Sequence, residues 1–414
     1  MCYNLIMRIK KAYKFRIYPN KEQQSRLTVQ FGHTRFVYNY FCHLREQHYK
    51  TTGKGLNRYD TIKMLTGLKR LPAFNWLKEA DSQILQQSLI DLDRAHINFF
   101  AGRAEYPRYK CKRGKQAVRY PQRFWIEDGH VYIPKVGKVR IVIHRPIEGK
   151  MKNMTVSKTM SGKYFISIQV EVDIPEPEYR GSEIGIDVGL AHFVTLSTGE
   201  RIDNPRYLNQ AERRLQRQQR KLSHKEKGSR GYEKARLKVA RQHEKIANQR
   251  LDFLHKLSRQ LVDENAFIGL ENLNIGGMVR DHNLAKSISD AGWGEFIRQL
   301  IYKGKWYGCR IEKADRFFAS SRICSECGFK NRDIDLSDRE WTCPECGIHH
   351  DRDINAAINI LEENRVGTTR IDAGGDNVRP ILHHVGRAVS GKPEAPQLAA
   401  GQFTGYGDRA WIGG

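Results

Sequence analysis

The segment EIGIDVGL at residues 183–190 decides the fold. Ile184 and Ile186 alternate with Gly185 and Asp187 as in a short strand, a glycine turn follows, and AHFVTLSTGE (191–200) returns as its hairpin partner. Farther along, AFIGLENLN (266–274) reads as a buried strand that delivers Glu271 directly behind Phe267-Ile268-Gly269-Leu270. Still farther, HHDRDINAAINILEEN (349–364) reads as a short helix with Asp353 at its start. Taken singly, Asp187 is a turn residue, Glu271 a surface acid and Asp353 a helix N-cap, a common fate for aspartate. Their order on one basic chain, strand–Asp–hairpin then strand–Glu then Asp–helix, points elsewhere. Three or four carboxylates suffice to hold hard Mg²⁺, and two such ions clamp a scissile phosphate, activating water and stabilising the leaving 3′ oxygen. Asp187, Glu271 and Asp353 are therefore the candidate catalytic residues and the candidate ligands of two Mg²⁺ ions.

The charge balance names the kind of partner. The 414 residues contain 71 Lys and Arg against 46 Asp and Glu, a net charge of +25, which suits a polyanion and above all nucleic acid. The excess is concentrated in residues 207–264, a helical hairpin broken at KGSRG (227–231); between 212 and 261, 16 cationic residues face 5 acidic ones. A charge run is usually only a solvated face, but here self-repulsion goes unrelieved unless phosphates neutralise it. Arg213, Arg217, Arg220, Lys238 and Arg241 are its candidate contacts. The basic, aromatic loop YPRYKCKRGKQ (106–116) adds Arg108, Tyr109, Lys110 and Lys112. Tyr13, Phe15 and Tyr18 of the alternating strand RIKKAYKFRIY (8–18) are candidates for stacking on bases, with core packing as the competing fate.

Four of the eight cysteines form C-x2-C, fifteen intervening residues, then C-x2-C: Cys324, Cys327, Cys343 and Cys346. This is zinc-ribbon spacing, in which two tight turns each present two thiolates to one tetrahedral ion. Both turns end in glycine, Gly328 and Gly347. Four cysteine ligands leave no open position, so one structural Zn²⁺ is expected. No stretch reaches the ~18 unbroken apolar residues of a membrane span. The opening MCYNLIMRIKK lacks an apolar signal region, so no membrane partner and no secretion are expected.

The remaining sequence suggests the organisation. Residues 1–20 and 115–180 alternate apolar and basic residues between turn signals and read as a small β-barrel. Residues 21–114 read as a helical insertion, opened by Asn20 and Gln23 as a capping box; the stripe Leu85, Leu89, Leu92 and His96 within it is plain core packing. A second domain of mixed strands and helices would comprise 181–318 and 349–365, interrupted by the ribbon at 319–348. Residues 366–414, with ten glycines in the final 49, read as a loosely ordered or disordered tail.

GIDVGL (185–190), GLENLN (269–274) and HDRDINAAINI (350–360), with the four-cysteine ribbon before the last, resemble the TnpB family. These are transposon-encoded, RNA-guided DNA endonucleases related to type V CRISPR effectors. The resemblance extends to KAYKFRIYPNKEQ, SQILQQSLIDLDRA and LAKSISDAGWGEFIRQLIYKGKWYG, and so covers residues 7 to 365. It implies a multidomain α/β protein. Its ribonuclease H-like nuclease domain of the RuvC type would carry an inserted four-cysteine zinc ribbon, after a β-barrel wedge domain holding the helical recognition insertion. It implies that Asp187, Glu271 and Asp353 are the RuvC triad, with Asp351 a weaker candidate for a supporting role. Asn272 stands where many relatives have Asp. The partners implied are a guide RNA from the transposon end and double-stranded target DNA next to a short motif, bound by a monomer in the cytoplasm of a prokaryote and on the nucleoid when engaged with DNA. Two other readings stay open: a protein-only RuvC-type resolvase or transposase accessory nuclease, and a non-catalytic guided regulator. No His–hydrophobic–His pair of single-strand transposases occurs among the 15 histidines.

Overall fold

In the alternating segment near the start, every second residue from Tyr13 to Ile17 is buried, which makes β1 (Ile6–Tyr18) a strand with an apolar inner face and a basic outer one. The computed structural model describes residues 6–372 apart from Arg180, His282, Asn283 and Leu336, with side chains described as far as residue 365. The chain leaves β1 into α1 (Lys21–Thr52), where Asn20 and Gln23 form the capping box expected from their spacing. Helices α2 (Arg58–Leu68) and α3 (Ser82–Phe100) follow. Six strands come next: β2 (Gln116–Tyr120), β3 (Trp125–Glu127), β4 (His130–Ile133), β5 (Gly137–Val142), β6 (Lys150–Lys158) and β7 (Tyr164–Pro175). With β1 at their centre they form one antiparallel sheet in the order β2-β6-β7-β1-β5-β4-β3. The sheet's two ends, β2 and β3, are not hydrogen-bonded to each other, so its ladder does not close as the expected barrel would. One apolar core runs through the sheet and the inserted helices together, joining Phe15, Ile17 and Ile166 to Phe41, Leu85, Leu89 and Leu92. His96 is buried with that stripe.

A second sheet holds the acids. Its strands are β8 (Ser182–Val188), β9 (His192–Leu196), β10 (Arg201–Asp203), β11 (Asn265–Leu270) and β12 (Arg310–Lys313), in the order β10-β9-β8-β11-β12. The β8-β9-β10 part is an antiparallel meander, whereas β11 runs parallel to both β8 and β12. Parallel neighbours need long crossovers. The basic hairpin α4 (Tyr207–Ser223) and α5 (Arg230–Glu264) supplies the first. Helices α6 (Ile275–Met278), α7 (Ala285–Ala291) and α8 (Trp293–Tyr307) supply the second. Ile186, Phe193, Leu254, Ile268 and Phe296 lie in the core between sheet and helices. The ribbon contributes β13 (Glu340–Thr342) and β14 (His349–Asp351), an antiparallel pair with a small core of Ile334, Trp341 and two cysteines. The chain then enters α9 (Arg352–Asp372).

Helix α9 lies against the second sheet through glycine. Gly185 and Gly269 are partners in the β8–β11 register. A Cβ at Gly185 would stand 1.9 Å from the Ala357 carbonyl oxygen and 2.8 Å from the Leu361 nitrogen; one at Gly269 would stand 3.0 Å from the Ile360 carbonyl oxygen. Residues two apart in a strand share a face, so Asp187 and Glu271, each two residues beyond its glycine, belong on the side where α9 lies.

Residues to Gly367 form one compact unit. The rest, Thr368–Gly414, is described only as helical backbone to Asp372, so residues 366–372 of the expected tail are helical and the remainder of that segment lies outside the described residues. No helix among the described residues is long and apolar enough to cross a membrane.

Gly185→Ala is expected to destabilise the protein by about 1–3 kcal/mol, since the methyl group must push a helix backbone aside. Gly276→Ala, which meets nothing within 4 Å, is the control and should be near neutral in the same denaturant titration.

Candidate active site

Asp187 occupies the penultimate position of β8, Glu271 follows the last residue of β11, and Asp353 stands in the first turn of α9. The register pairs Ile186 with Leu270, so the first two acids leave adjacent strand ends side by side. Their proximity is electrostatic as well. The Asp187 carboxyl is held well above its ordinary range, first by desolvation and then by repulsion from Glu271 and Asp353, with Arg352 and the Val188 amide opposing. Burial pushes the Glu271 carboxyl up too. Both side chains are half-buried rather than sealed. An oxygen-only group in which the charges of Glu271 and Asp353 raise the proton affinity of Asp187 suits a divalent cation, which would relieve that repulsion directly.

The bland reading of Asp353 as a helix cap fails. Asp351 is the cap: its Oδ1 accepts the amides of Asp353 (3.1 Å) and Ile354 (3.0 Å), and its other oxygen pairs with Arg201. Burial pushes the Asp351 carboxyl up, but the Ile354 amide and Arg201 outweigh it and leave the group below its usual range. With the capping done by its neighbour, Asp353 turns its carboxylate toward Arg352 (3.5 Å) and Arg339 (3.9 Å). Sequence reasoning missed these two arginines, along with Arg201. Arg339 comes from the ribbon and Arg201 from β10, so neither is close in the sequence to the acid it meets, Asp353 and Asp351 respectively.

The four ribbon cysteines converge as their spacing requires. Their sulfurs lie within 4.8 Å of one another and all four thiols are free, a donor set fit for a tetrahedral soft-ligand metal such as zinc. Nε2 of His350 lies 3.0 Å from Sγ of Cys324.

The nucleic-acid candidates divide. Phe15 is wholly buried and Tyr13 is 8% exposed; both belong to the first core, because the alternation of β1 turns them inward, and neither offers a face to a base. Tyr18 is half exposed, with the Arg16 guanidinium over its ring. In the 106–116 loop, Tyr109 and Lys112 are exposed, Arg108 pairs with Glu105, and the Lys110 ammonium sits 3.8 Å from the centre of the Tyr38 ring. On the hairpin, Arg213, Arg217, Arg220, Lys238 and Arg241 are all exposed. Some other cations there are paired, as Arg236 is with Glu233 and Lys256 with Asp252.

Comparison with known proteins agrees with this layout. Residues 165–281 match a family profile described as "Probable transposase" (OrfB of IS605), and residues 293–360 match "Cas12f1-like, TNB domain". Residues 7–54 match a profile described as a helix-turn-helix domain, although here they comprise β1 and the single long helix α1. The Cas12f1 chain of a solved Cas12f1–sgRNA–target DNA complex superposes with a TM-score of 0.52 over 86% of this chain and 99% of its own, at 13% identity, a likeness of fold. In Escherichia coli K12, the protein named "Putative RNA-guided DNA endonuclease InsQ" is 34% identical over 85% of this chain and 91% of its own length. In Streptomyces pristinaespiralis, a "Putative RNA-guided DNA endonuclease" is 38% identical over 95% of this chain and 98% of its own. With a relative this similar along nearly its whole length, the chain belongs to the TnpB family.

Proposed function

We propose that this protein is an RNA-guided DNA endonuclease of an insertion sequence, cutting DNA in a single site built from Asp187, Glu271 and Asp353. The observation that carries the reading is the convergence of these three acids from β8, β11 and α9, close enough for Asp187 to feel both others. The relatives' names agree with it. The guide RNA would derive from the transposon end and recognise its target by base pairing, next to a short DNA motif. The second sheet and α9 form the RuvC-like nuclease domain, the first sheet the wedge, and α1–α3 the recognition insertion. The protein works as a monomer with its RNA, in the cytoplasm and on the nucleoid when bound to DNA.

In the cut, Asp187 and Glu271 fix the floor of the site from adjacent strand ends, while Asp353 closes it from the helix. Bound Mg²⁺ ions supply the acidity that activates water and the charge that steadies the leaving 3′ oxygen. Arg352, held by the carbonyl of Asp335 at 3.2 Å as well as by Asp353, brings positive charge to the edge where a phosphate would enter. The exposed cations of α4 and α5 grip backbone phosphates without reading sequence. The ribbon cysteines hold one structural Zn²⁺.

The decisive experiment is to express the gene with its downstream DNA, purify the protein, sequence the bound RNA and supply a matching target with Mg²⁺. Guided cutting is expected. Cutting of a four-way junction by RNA-free protein would favour a resolvase instead. Asp187→Ala should lower the cleavage rate at least ~10²-fold while RNA still co-purifies.

Stability should move the other way. The carboxyls of Asp187 and Glu271 titrate above their unfolded values, so protonation favours the folded state. Their cost is absent below the unfolded range of about 4 and grows as pH rises through the raised values. Metal-free Asp187→Asn should therefore melt at a higher temperature than the native protein at neutral pH, and the gap should close on acidification.

Cys324→Ser should reduce zinc, measured by elemental analysis, below one per chain and loosen the ribbon. Replacing Arg213, Arg217 and Arg220 together by Gln should weaken binding to unrelated duplex DNA and reduce the slope of log affinity against log salt by up to about 3.

A further inference from the structure

Two asparagines on α9 are buried where apolar residues would be cheaper. Asn355 is 1% exposed and Asn359 is 7% exposed. A buried amide is costly unless its donors and acceptor are matched, and these two are matched on the ribbon rather than on the sheet. Asn355 Oδ1 accepts the Ser325 amide at 2.9 Å, and its Nδ2 donates to the Ile323 carbonyl at 2.7 Å. It thus grips the first cysteine turn on both sides of Cys324. Asn359 Nδ2 donates to the same Ile323 carbonyl at 2.6 Å and to the Ser320 carbonyl at 2.8 Å. The spacing of four places both amides on one face of the helix.

The second cysteine turn reaches the same helix by the backbone. Beyond Cys346 the chain forms β14, whose His350 meets Cys324 and packs on Trp341, and whose Asp351 caps α9. The Arg352 amide donates to the Arg339 carbonyl at 2.9 Å, and the Arg339 side chain faces Asp353. Both cysteine turns are therefore tied to the start of the helix that carries the third acid, while the other two acids stand at the ends of strands. First turns of helices fray unless their ends are held.

We propose that the four-cysteine centre is a positioning element of the nuclease site: metal held by the cysteines fixes the 323–325 turn, and Asn355 and Asn359 pass that order to the first turn of α9, which sets the place of Asp353. Asn355 and Asn359 are positioning residues, since neither contacts the acids. This rests on the nuclease reading above. A ribbon that is merely an insertion between β12 and α9 would show no such coupling.

The test uses the full-length protein with its co-purified RNA and Mn²⁺ as the probe, a hard cation that suits carboxylates and binds thiolate sites poorly. Free Mn²⁺ is followed by electron paramagnetic resonance, zinc by elemental analysis, and hydrogen exchange by mass spectrometry over residues 351–356. Asn355→Ala is expected to keep one zinc per chain, to speed exchange in that peptide and to weaken Mn²⁺ binding by about 10-fold or more, in line with the loss of an outer partner at a metal site. Removing zinc from the native protein with a chelator should give a similar loss, and removing it from Asn355→Ala should add little further. Asn359→Ala, which leaves Asn355 in place, should give a smaller loss in the same direction and serves if Asn355→Ala does not fold. Native Mn²⁺ affinity in Asn355→Ala or in zinc-free protein would overturn the proposal, as would losses that simply multiply. Asp353→Ala is the separate control. If it binds Mn²⁺ as tightly as the native protein, the nuclease reading itself falls, and the coupling with it.

Discussion

The backbone of α9 rests on Gly185 and Gly269 at a separation that no side chain would permit, and the candidate site depends on that contact. The two glycines are registered partners on the central parallel strands, so together they make a groove rather than two isolated gaps. Alanine at 356 and 357 keeps the helix equally slim where it enters. Any larger residue in the groove would lift the helix and carry Asp353 away from Asp187 and Glu271. The paired patterns Gly-Ile-Asp and Gly-Leu-Glu thus do two things at once: the glycine admits the helix, and the acid two residues later stands at the end of its strand.

Crowding three carboxylates costs stability, and the cost falls on Asp187. The Asp187 carboxyl is pushed up by burial and by its two acidic neighbours, and the nearest opposing charge, Arg352, relieves this in part. Other acids are mated in the usual way, Asp93 with Arg45 and Asp290 with Arg250 among them. The repulsion also explains why capping falls to Asp351: an acid occupied with backbone amides and Arg201 would have little left to offer a metal.

The positive charge is distributed by a separate logic. The basic hairpin α4–α5 serves as the crossover between β10 and β11, so it must exist for topological reasons whatever its surface carries. One thin stripe, including Leu215, Ile246, Leu254, Leu257 and Leu261, buries against the rest of the protein. Lys163 at the tip of the first sheet pairs with Glu244 of α5 at 2.7 Å, which ties the two sheets' elements together beside the basic surface. The outward positions are then free to accumulate cations, and their mutual repulsion suits a polyanion.

Local pattern was enough for many of the elements. Period-two alternation marked β1 and β8, an apolar run marked β11, the capping box marked the start of α1, the cysteine spacing marked the ribbon, and each of the three acids stood at the end or start of an element that the sequence reveals. These are all short-range signals, set by backbone geometry within a few residues. Whether the first sheet's ladder closes depends on pairing between strands far apart in sequence, and in the structure β2 and β3 remain separate ends. The inward turn of Tyr13 and Phe15 was visible as alternation, but which face met a core was settled only when α1–α3 packed against it. The same holds for Arg201, Arg339, Asn355 and Asn359. Each is an ordinary polar residue in its own segment, and each acquires a partner only when the ribbon, β10 and α9 are brought together in space. The sequence by itself determined which acids and cysteines the protein can offer; tertiary packing decided which neighbours hold them, because contacts between distant segments leave no periodic trace in either segment alone.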